Sequence, residues 1–570
     1  MKRRITVFSV VLLLVVACQG RDRARSDRLL AEADRLVAQR HAEQNPALLD
    51  QAEQRFQAAI EADPGSAAAH AALGEFYLYE RFAHLRDNGE QRHAHATPLF
   101  ERALALDPDS AEALAGLATL QPMETTAGLT RAVELYERAL EREPGNTLAL
   151  TNLGQCYFEL KQYERAEAAL QRALVSAQAE DEEYKVREAR RFLGRIYTDQ
   201  GRYDRAEQVL KDAIVGLDEY NRRFNTDNGC PYQALGRLYS HMGRDQSVAL
   251  YLKAADTAPT TALHQYLAAL KSYDAGDLQT ARKYLDRALA LETREAYQVL
   301  DGFLRLSERK VDLAEKRFQQ LLDQDGRLDA ARVGLGHVAI LRKDYAAARE
   351  RLEVVAGWDM EQKKIGQRSS ALDQLVFTYK MACLGLAWVE ANQQRHAQAV
   401  AALDRILTHR PDDLLTRLAR GNSLLGLSHW REAAVEFERV LQRQPDNRYA
   451  LGGLATVRYN TGDDGAAEAG FKRALARGGE RYTCPYQGLG LLYLRQGKLD
   501  QAKQNLEKAI ALDTGIEYRK FNGLAAIFIQ EGRLEEAARL LQRSLDNAPD
   551  NAEALSLRAR LRRLQAEAKQ

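Results

Sequence analysis

The sequence predicts an all-α fold: an α-solenoid of about fourteen stacked helix–turn–helix units, closed by a C-terminal capping helix. Three observations predict it. Apolar and small residues recur three and four apart along nearly the whole chain, so each segment offers one buried helical face. The pattern repeats at a period of about 34 residues. The punctuation keeps the same phase, with Gly between the two helices of a unit and Pro closing the second, because Pro disfavours helix in the residue before it.

The clearest unit starts at Thr147 and reads TLALTNLGQCYFELKQYERAEAALQRAL. Leu153, Gly154 and Tyr157 fall on its first helix, and Ala166, Leu170 and Ala173 on its second. The small residues Gly154 and Ala166 let the two helices approach closely, and such a pair must stack on neighbours to bury its faces. Second-helix signatures of the same kind include Ala52-Phe56-Ala59-Pro64, Ala96-Phe100-Ala103-Pro108 and Ala132-Tyr136-Ala139-Pro144. Others are Ala206-Leu210-Ala213, Ala281-Leu285-Ala288, Ala433-Phe437-Pro445, Ala467-Phe471-Ala474 and Ala502-Leu506-Ala509. First-helix signatures include Leu73-Gly74-Tyr77, Leu193-Gly194-Tyr197, Leu235-Gly236-Tyr239 and Leu489-Gly490-Tyr493. The matches are weakest around Asp301-Gly302 and over Lys380–Gln398.

These residues resemble the tetratricopeptide-repeat (TPR) pattern: a large residue, Leu-Gly and Tyr on the first helix, then Ala, Phe or Leu, and Ala on the second. The resemblance covers roughly Ser26 to Asp550 and implies a right-handed solenoid whose first helices line a concave groove. Three places break the period: an insertion at Phe82–His95, a short one at Thr125–Gly128, and AGWDMEQKKIGQRSS at Ala356–Ser370. The last divides the array. The expected organisation is a leader at 1–17, a tether at 18–27, a repeat block at 28–355, the break at 356–370, a second block at 371–551 and a capping helix at 552–570.

The leader is read from Lys2, Arg3 and Arg4 followed by an apolar run from Ile5 to Ala17. That run falls short of the roughly 20 residues needed to span a bilayer and has the form of a secretory signal. Val15-Val16-Ala17-Cys18 resembles a lipobox, which implies acylation of Cys18 and cleavage before it. Gln19, rather than Asp, follows the cysteine and favours the outer membrane, facing the periplasm. Removal of the leader turns the formal charge of +1 into −2. Charges of both signs are mixed along the body, unlike the one-sided basic surface of a nucleic-acid binder. No other stretch is apolar enough to span a membrane.

No catalytic signature is present: neither a GxSxG elbow, nor HExxH, nor a phosphate-binding Gly-rich loop. The expected protein is therefore not an enzyme and needs no cofactor. Cys156, Cys230, Cys383 and Cys484 have no zinc spacing, and Cys156 and Cys383 read as small core residues. His84, His93 and His95 in the first insertion lack the acid or Cys that would complete a metal set, and read as exposed loop histidines. Cys230-Pro231-Tyr232-Gln233 and Cys484-Pro485-Tyr486-Gln487 occupy the same helix-start phase. They read either as an internally duplicated helix start, where Pro is favoured, or as equivalent groove contacts.

The resemblance places a mixed set of side chains toward the groove: Gln155, Arg191, Arg195, Gln233, Arg237, His241, Tyr266, Tyr273, Asn422, Tyr459, Gln487 and Asn522. Asn152 and Asn422 fall near positions where relatives grip a terminal carboxylate, but the accompanying Lys residues are missing. The expected partners are proteins or peptides in the concave groove, with the membrane reached through the lipid on Cys18. The implied role is an envelope scaffold or adaptor, with a glycan or peptidoglycan binder as the alternative.

Overall fold

The computed structural model describes residues 22–40, 45–81, 89–123, 125–224, 228–242, 246–364, 369–477, 482–512 and 518–567. The leader, Cys18, Gln19 and residues 82–88 of the Phe82–His95 insertion, His84 among them, lie outside the described residues. Among the described residues every regular element is a helix, and the helices fall into about fourteen antiparallel pairs. A helix over Ala552–Glu567 follows the last pair and buries Ala554 and Leu561.

The local chemistry explains each pair. Where the first helix carries its small residue, the second supplies a large one: Gly154 faces Leu170, Gly194 faces Leu210, Gly302 faces Phe318 and Gly336 faces Leu352. Gly302 therefore belongs to an ordinary pair despite its weak sequence match. Many first helices open on a side-chain cap; Ser66, Ser110, Asn146, Asp413 and Asn447 each accept a backbone N–H of the first turn. Such caps satisfy donors that have no partner within the helix.

Two compact units divide the chain: 1–297 with 361–372, and 298–360 with 373–570. The division crosses the chain between Met360 and Glu361, inside the 356–370 break, and between Leu372 and Asp373 just after it; it also crosses inside the helix Glu295–Ser307, where the sequence marks no break. The 356–370 stretch carries a five-residue helix, Met360–Lys364, and the next helix starts at Ser369. A second correction concerns His93 and His95. They lie on the helix Gly89–Leu106, where His93 bonds the Leu120 carbonyl at 2.7 Å and His95 that of Gln91 at 2.8 Å. Among the described residues no group of His, Cys, Asp and Glu could hold a metal ion, and no helix is long and apolar enough to cross a membrane.

Within each unit the first helices of successive pairs touch. Thr147–Glu159 packs on Glu183–Asp199, which packs on Cys230–His241; Arg448–Asn460 packs on Thr483–Arg495, which packs on Arg519–Gln530. Among the described residues, second helices of successive pairs meet less than the first helices do. This asymmetry opens the stack on the second-helix side and puts the first helices on the inside of the curve.

Candidate functional site: a cationic row on the first helices

The first helices Thr147–Glu159, Glu183–Asp199 and Cys230–His241 place Arg191, Arg195, Gln233 and Arg237 on a common inner surface. Each helix has its small or apolar side against its own second helix (Gly194 on Leu210, Gly236 on Tyr251). The residue after each of these glycines therefore emerges on the inner face. Those residues are Arg195 and Arg237, with Gln155 and Glu75 at the equivalent places earlier in the chain.

The arginines are set in aromatic rings rather than free in solvent. Arg191 lies 4.0 Å over the Phe192 ring, and Arg195 lies 4.6 Å over Phe158 and 5.5 Å over Phe192. Both rings are buried, so they act as fixed platforms for the guanidinium planes. Arg191 also grips Glu188, one turn earlier on its own helix, at 2.6 Å. Arg195 pairs with Glu159 of the preceding first helix at 3.6 Å, an ion pair too long to be a hydrogen bond. Arg237 is half-buried and makes no ion pair among the described residues.

The electrostatics follow from this crowding. Burial, then the neighbouring charges of Arg191 and Arg237, lower the Arg195 pKa to about 10, against which Glu159 pulls the other way. For Arg191, burial lowers the pKa, but Glu188 overrides it and the net shift is upward. The Cys230 thiol sits at the edge of the row, 3.7 Å from His264 Nε2. Burial pushes its pKa up while Arg191 and Arg195 pull it down. Tyr184, exposed on the first turn of its helix, completes the rim; burial of its hydroxyl, Glu188 and Cys230 raise its pKa to about 12.

Other residues expected in the groove lie elsewhere in the packing. Tyr266 is buried and stacks on Tyr297 with ring centroids 4.7 Å apart, so it is a core residue. Asn522 is fully buried. It accepts from Ser544 at 2.6 Å and donates to Asn551 at 2.9 Å and Glu553 at 2.8 Å, tying the last pair to the capping helix. These two are corrections: helix-to-helix contacts consume positions that the register alone assigns to the groove. Asn422 and His241 are exposed; Gln155, Gln233, Tyr273, Tyr459 and Gln487 are half-buried. Arg495 covers the Tyr459 ring at 4.0 Å. Asn152 donates to the Tyr136 hydroxyl at 3.1 Å.

The two Cys-Pro-Tyr-Gln segments have different surroundings. Cys230 faces His264, and Tyr232 is buried with its hydroxyl donating to Asp218 at 3.0 Å. Cys484 lies 3.7 Å from the Thr456 hydroxyl. Cys156 and Cys383 are buried, and burial lifts their thiols to about 12 and about 11. They are packing residues, inert as thiolates.

Models of the tetratricopeptide repeat match residues 146–214, 418–481 and 493–561. The chain carries tetratricopeptide repeats. The first matched stretch contains Arg191 and Arg195. Cellulose synthase operon protein C of Xanthomonas axonopodis pv. citri is 30% identical over 213 residues, covering 37% of this chain and 11% of that protein. The Protein CTR9 homolog of Arabidopsis thaliana is 30% identical over 128 residues, covering 21% of this chain and 12% of that one. The matched part is thus a small fraction of either relative. Among solved structures, the APC/C hetero-tetramer Cut9-Hcn1 matches with a TM-score of 0.55 and 16% identity, over 87% of this chain and 98% of that one. At that identity the likeness speaks for the TPR solenoid fold alone.

Proposed function

We propose that this chain is a non-catalytic adaptor of the bacterial cell envelope, anchored through lipid on Cys18 at the periplasmic face of the outer membrane. It recruits a protein partner through the inner face of its N-terminal unit and so supports assembly of an envelope complex. The observation that carries the recruiting role is the row Arg191, Arg195 and Arg237 on touching first helices, with two of the guanidiniums held on buried rings. Arg and aromatic side chains dominate the energetics of protein recognition, and side chains already fixed lose little entropy on binding. The anchor is supported by the basic n-region, the apolar run and Val15-Val16-Ala17-Cys18.

A second reading, a glycan or peptidoglycan binder, draws on the Xanthomonas relative, a protein named for a cellulose synthase operon. Sugar binding of this kind needs exposed flat rings. The stacked pair Tyr266–Tyr297 is buried, and the exposed rings of Tyr184, Trp388 and Tyr449 lie on separate helices rather than side by side as a platform, so the protein-binding reading is preferred.

The test is capture of partners from detergent-solubilised envelopes with the full-length, lipidated chain as bait. Wild type should enrich a defined protein set that Arg191→Ala/Arg195→Ala/Arg237→Ala loses. Retention on insoluble polysaccharide, with no protein enriched, would replace the adaptor reading by the glycan reading.

A further inference from the structure

The helix Ala552–Glu567 carries Arg558, Arg560, Arg562 and Arg563 within six residues, and none of the four forms an ion pair among the described residues. Nearby, the chain answers its own arginine: Glu531 and Glu536 grip Arg533 at 3.1 and 2.5 Å. The acid in the first turn of the helix, Glu553, accepts from Asn522 at 2.8 Å. Like charges three and four apart on a helix repel, and Arg558–Arg562 and Arg560–Arg563 are such pairs. A polar array end keeps a solenoid soluble, and charges of mixed sign would do so without that repulsion. The helix buries one face only. Ala554 and Leu561 are buried, with Leu557 and Leu564 packed beside them. The opposite face shows Leu555, Ala559, Arg560, Arg562, Arg563 and Ala566 to solvent, and Arg558 lies half-buried at its edge. We propose that this face is a membrane-surface contact, in which the four guanidiniums meet the phosphates of an anionic phospholipid leaflet and Leu555 enters the headgroup boundary.

Charge complementarity selects the leaflet. The helix holds four arginines against two glutamates, whereas the body as a whole is close to neutral, so attraction to an anionic surface has to come from a local patch. The arginines fan out on both sides of Leu555, Ala559 and Ala566 over the convex side of one helix, a shape that meets a flat array of phosphates rather than enclosing a ligand. Ala559 and Ala566 are short, so the helix can lie close to a surface while the long arginine stems lay their methylenes on it and their heads reach the phosphates. Interfacial helices bind through buried apolar area together with attraction to anionic lipid. The contact goes beyond the lipid anchor proposed on Cys18. On an anchored chain it is an intramolecular event, so a modest affinity is enough to keep it engaged.

The experiment is co-sedimentation of the full chain, carrying Cys18→Ser so that acyl insertion plays no part, with lipid vesicles. The chain should pellet with vesicles of equal parts phosphatidylglycerol and phosphatidylcholine, not with pure phosphatidylcholine, and added salt should release it. An arginine near an anionic surface strengthens binding about fivefold, so Arg562→Gln should weaken it by about that factor. Arg558→Gln/Arg560→Gln/Arg562→Gln/Arg563→Gln should weaken it at least about a hundredfold, and lysine at the same four positions should restore most of the binding. Leu555→Gln should weaken it severalfold. Arg35→Gln/Arg102→Gln/Arg351→Gln/Arg431→Gln removes the same charge from exposed positions elsewhere and should leave binding unchanged. Equal pelleting with both vesicles, pelleting with neither, or equal loss in the two quadruple Gln variants overturns the proposal. So does capture of a soluble acidic protein through the four arginines by a chain that ignores the vesicles, which would make this face a protein interface. Palmitate label on Cys18 without vesicle binding by the Cys18→Ser chain keeps the anchor and removes this contact; vesicle binding without label does the reverse.

Discussion

Replacing Gly154 by Ala tests the packing rule that builds every repeat. On intrinsic propensity alone, Gly to Ala inside a helix gains about 1 kcal/mol. The contact opposes it. A Cβ at 154 would lie 2.5 Å from Leu170 Cγ and 2.9 Å from its Cδ2, roughly an ångström inside normal carbon–carbon contact. Leu170 is fully buried and Cγ is its branch point, so rotation of the side-chain end cannot relieve the clash. The two helices must part, and overpacking of this kind costs about 1–3 kcal/mol. With both Leu170 Cγ and Cδ2 inside 3 Å the upper part of that range applies, about 2–3 kcal/mol, and after the propensity gain the net expectation is destabilisation by about 1–2 kcal/mol. Because a solenoid this long is quasi-one-dimensional, the loss is local and global melting is a poor readout. Amide hydrogen exchange over Thr147–Ala179 is the direct assay, with protection reduced roughly five- to thirtyfold there and little changed in the C-terminal unit. Gly465→Ala is the control, since a Cβ there meets nothing within 4 Å, and it should keep or raise protection. Unchanged exchange in Gly154→Ala would refute the close-approach argument.

Glu75 lies on an inner-face position where burial, then Glu112, Asp34 and Glu143, raise its pKa to about 7 from 4.5. A raised carboxylate binds its proton more tightly in the folded state. Stability of the N-terminal pairs should therefore be fully present below about pH 4.5 and fall by roughly 3 kcal/mol as pH rises through 7; exchange of residues 67–81 measured against pH should lose that slope in Glu75→Gln. Lys380 and Asp413 form a buried ion pair at 2.8 Å, so Lys380→Met should take the buried counter-charge from a carboxylate that still caps Thr416 and cost up to about 3–5 kcal/mol, read as lost protection over His396–Gly426. Cys18→Ser should abolish incorporation of labelled palmitate and release the chain from membranes; absence of label in the wild type would remove the lipid anchor.

The helical repeat was legible because its signals are local and redundant: Gly154, Gly194 and Gly336 each announce a close helix contact that the structure contains. The turns were only partly legible. Gly201, Gly276, Gly462, Gly497 and Gly532 take the left-handed conformation that favours glycine. Lys161, Arg309, Lys343, Gln394 and Ser428 adopt the same conformation in other turns, where no sequence signal marks them. At the candidate site, register placed Arg191, Arg195 and Arg237 on one face. It could not supply what surrounds them. The i,i+3 spacing of Glu188 and Arg191 was visible as a possible pair, whereas Glu159 comes from another helix and Phe158 and Phe192 look like ordinary core residues. Asn522 and Tyr266 share the groove register yet are buried, Asn522 because the capping helix supplies its hydrogen-bond partners and Tyr266 because it stacks on Tyr297. Which inner-face positions stay open depends on the next helix, and the repeat pattern carries no information about that. The division at Tyr297/Gln298 was invisible for a related reason, since it interrupts no helix signal.

The most direct test of the account is site-specific photo-crosslinking in intact cells, with a photoreactive residue at Gln233 beside the arginine row or at Arg172 on a second helix. The account predicts a discrete protein adduct from Gln233 that disappears when Arg191, Arg195 and Arg237 are changed to Ala, and none of the same mass from Arg172. The same adduct from Arg172, or an adduct from Gln233 that survives loss of all three arginines, would contradict it.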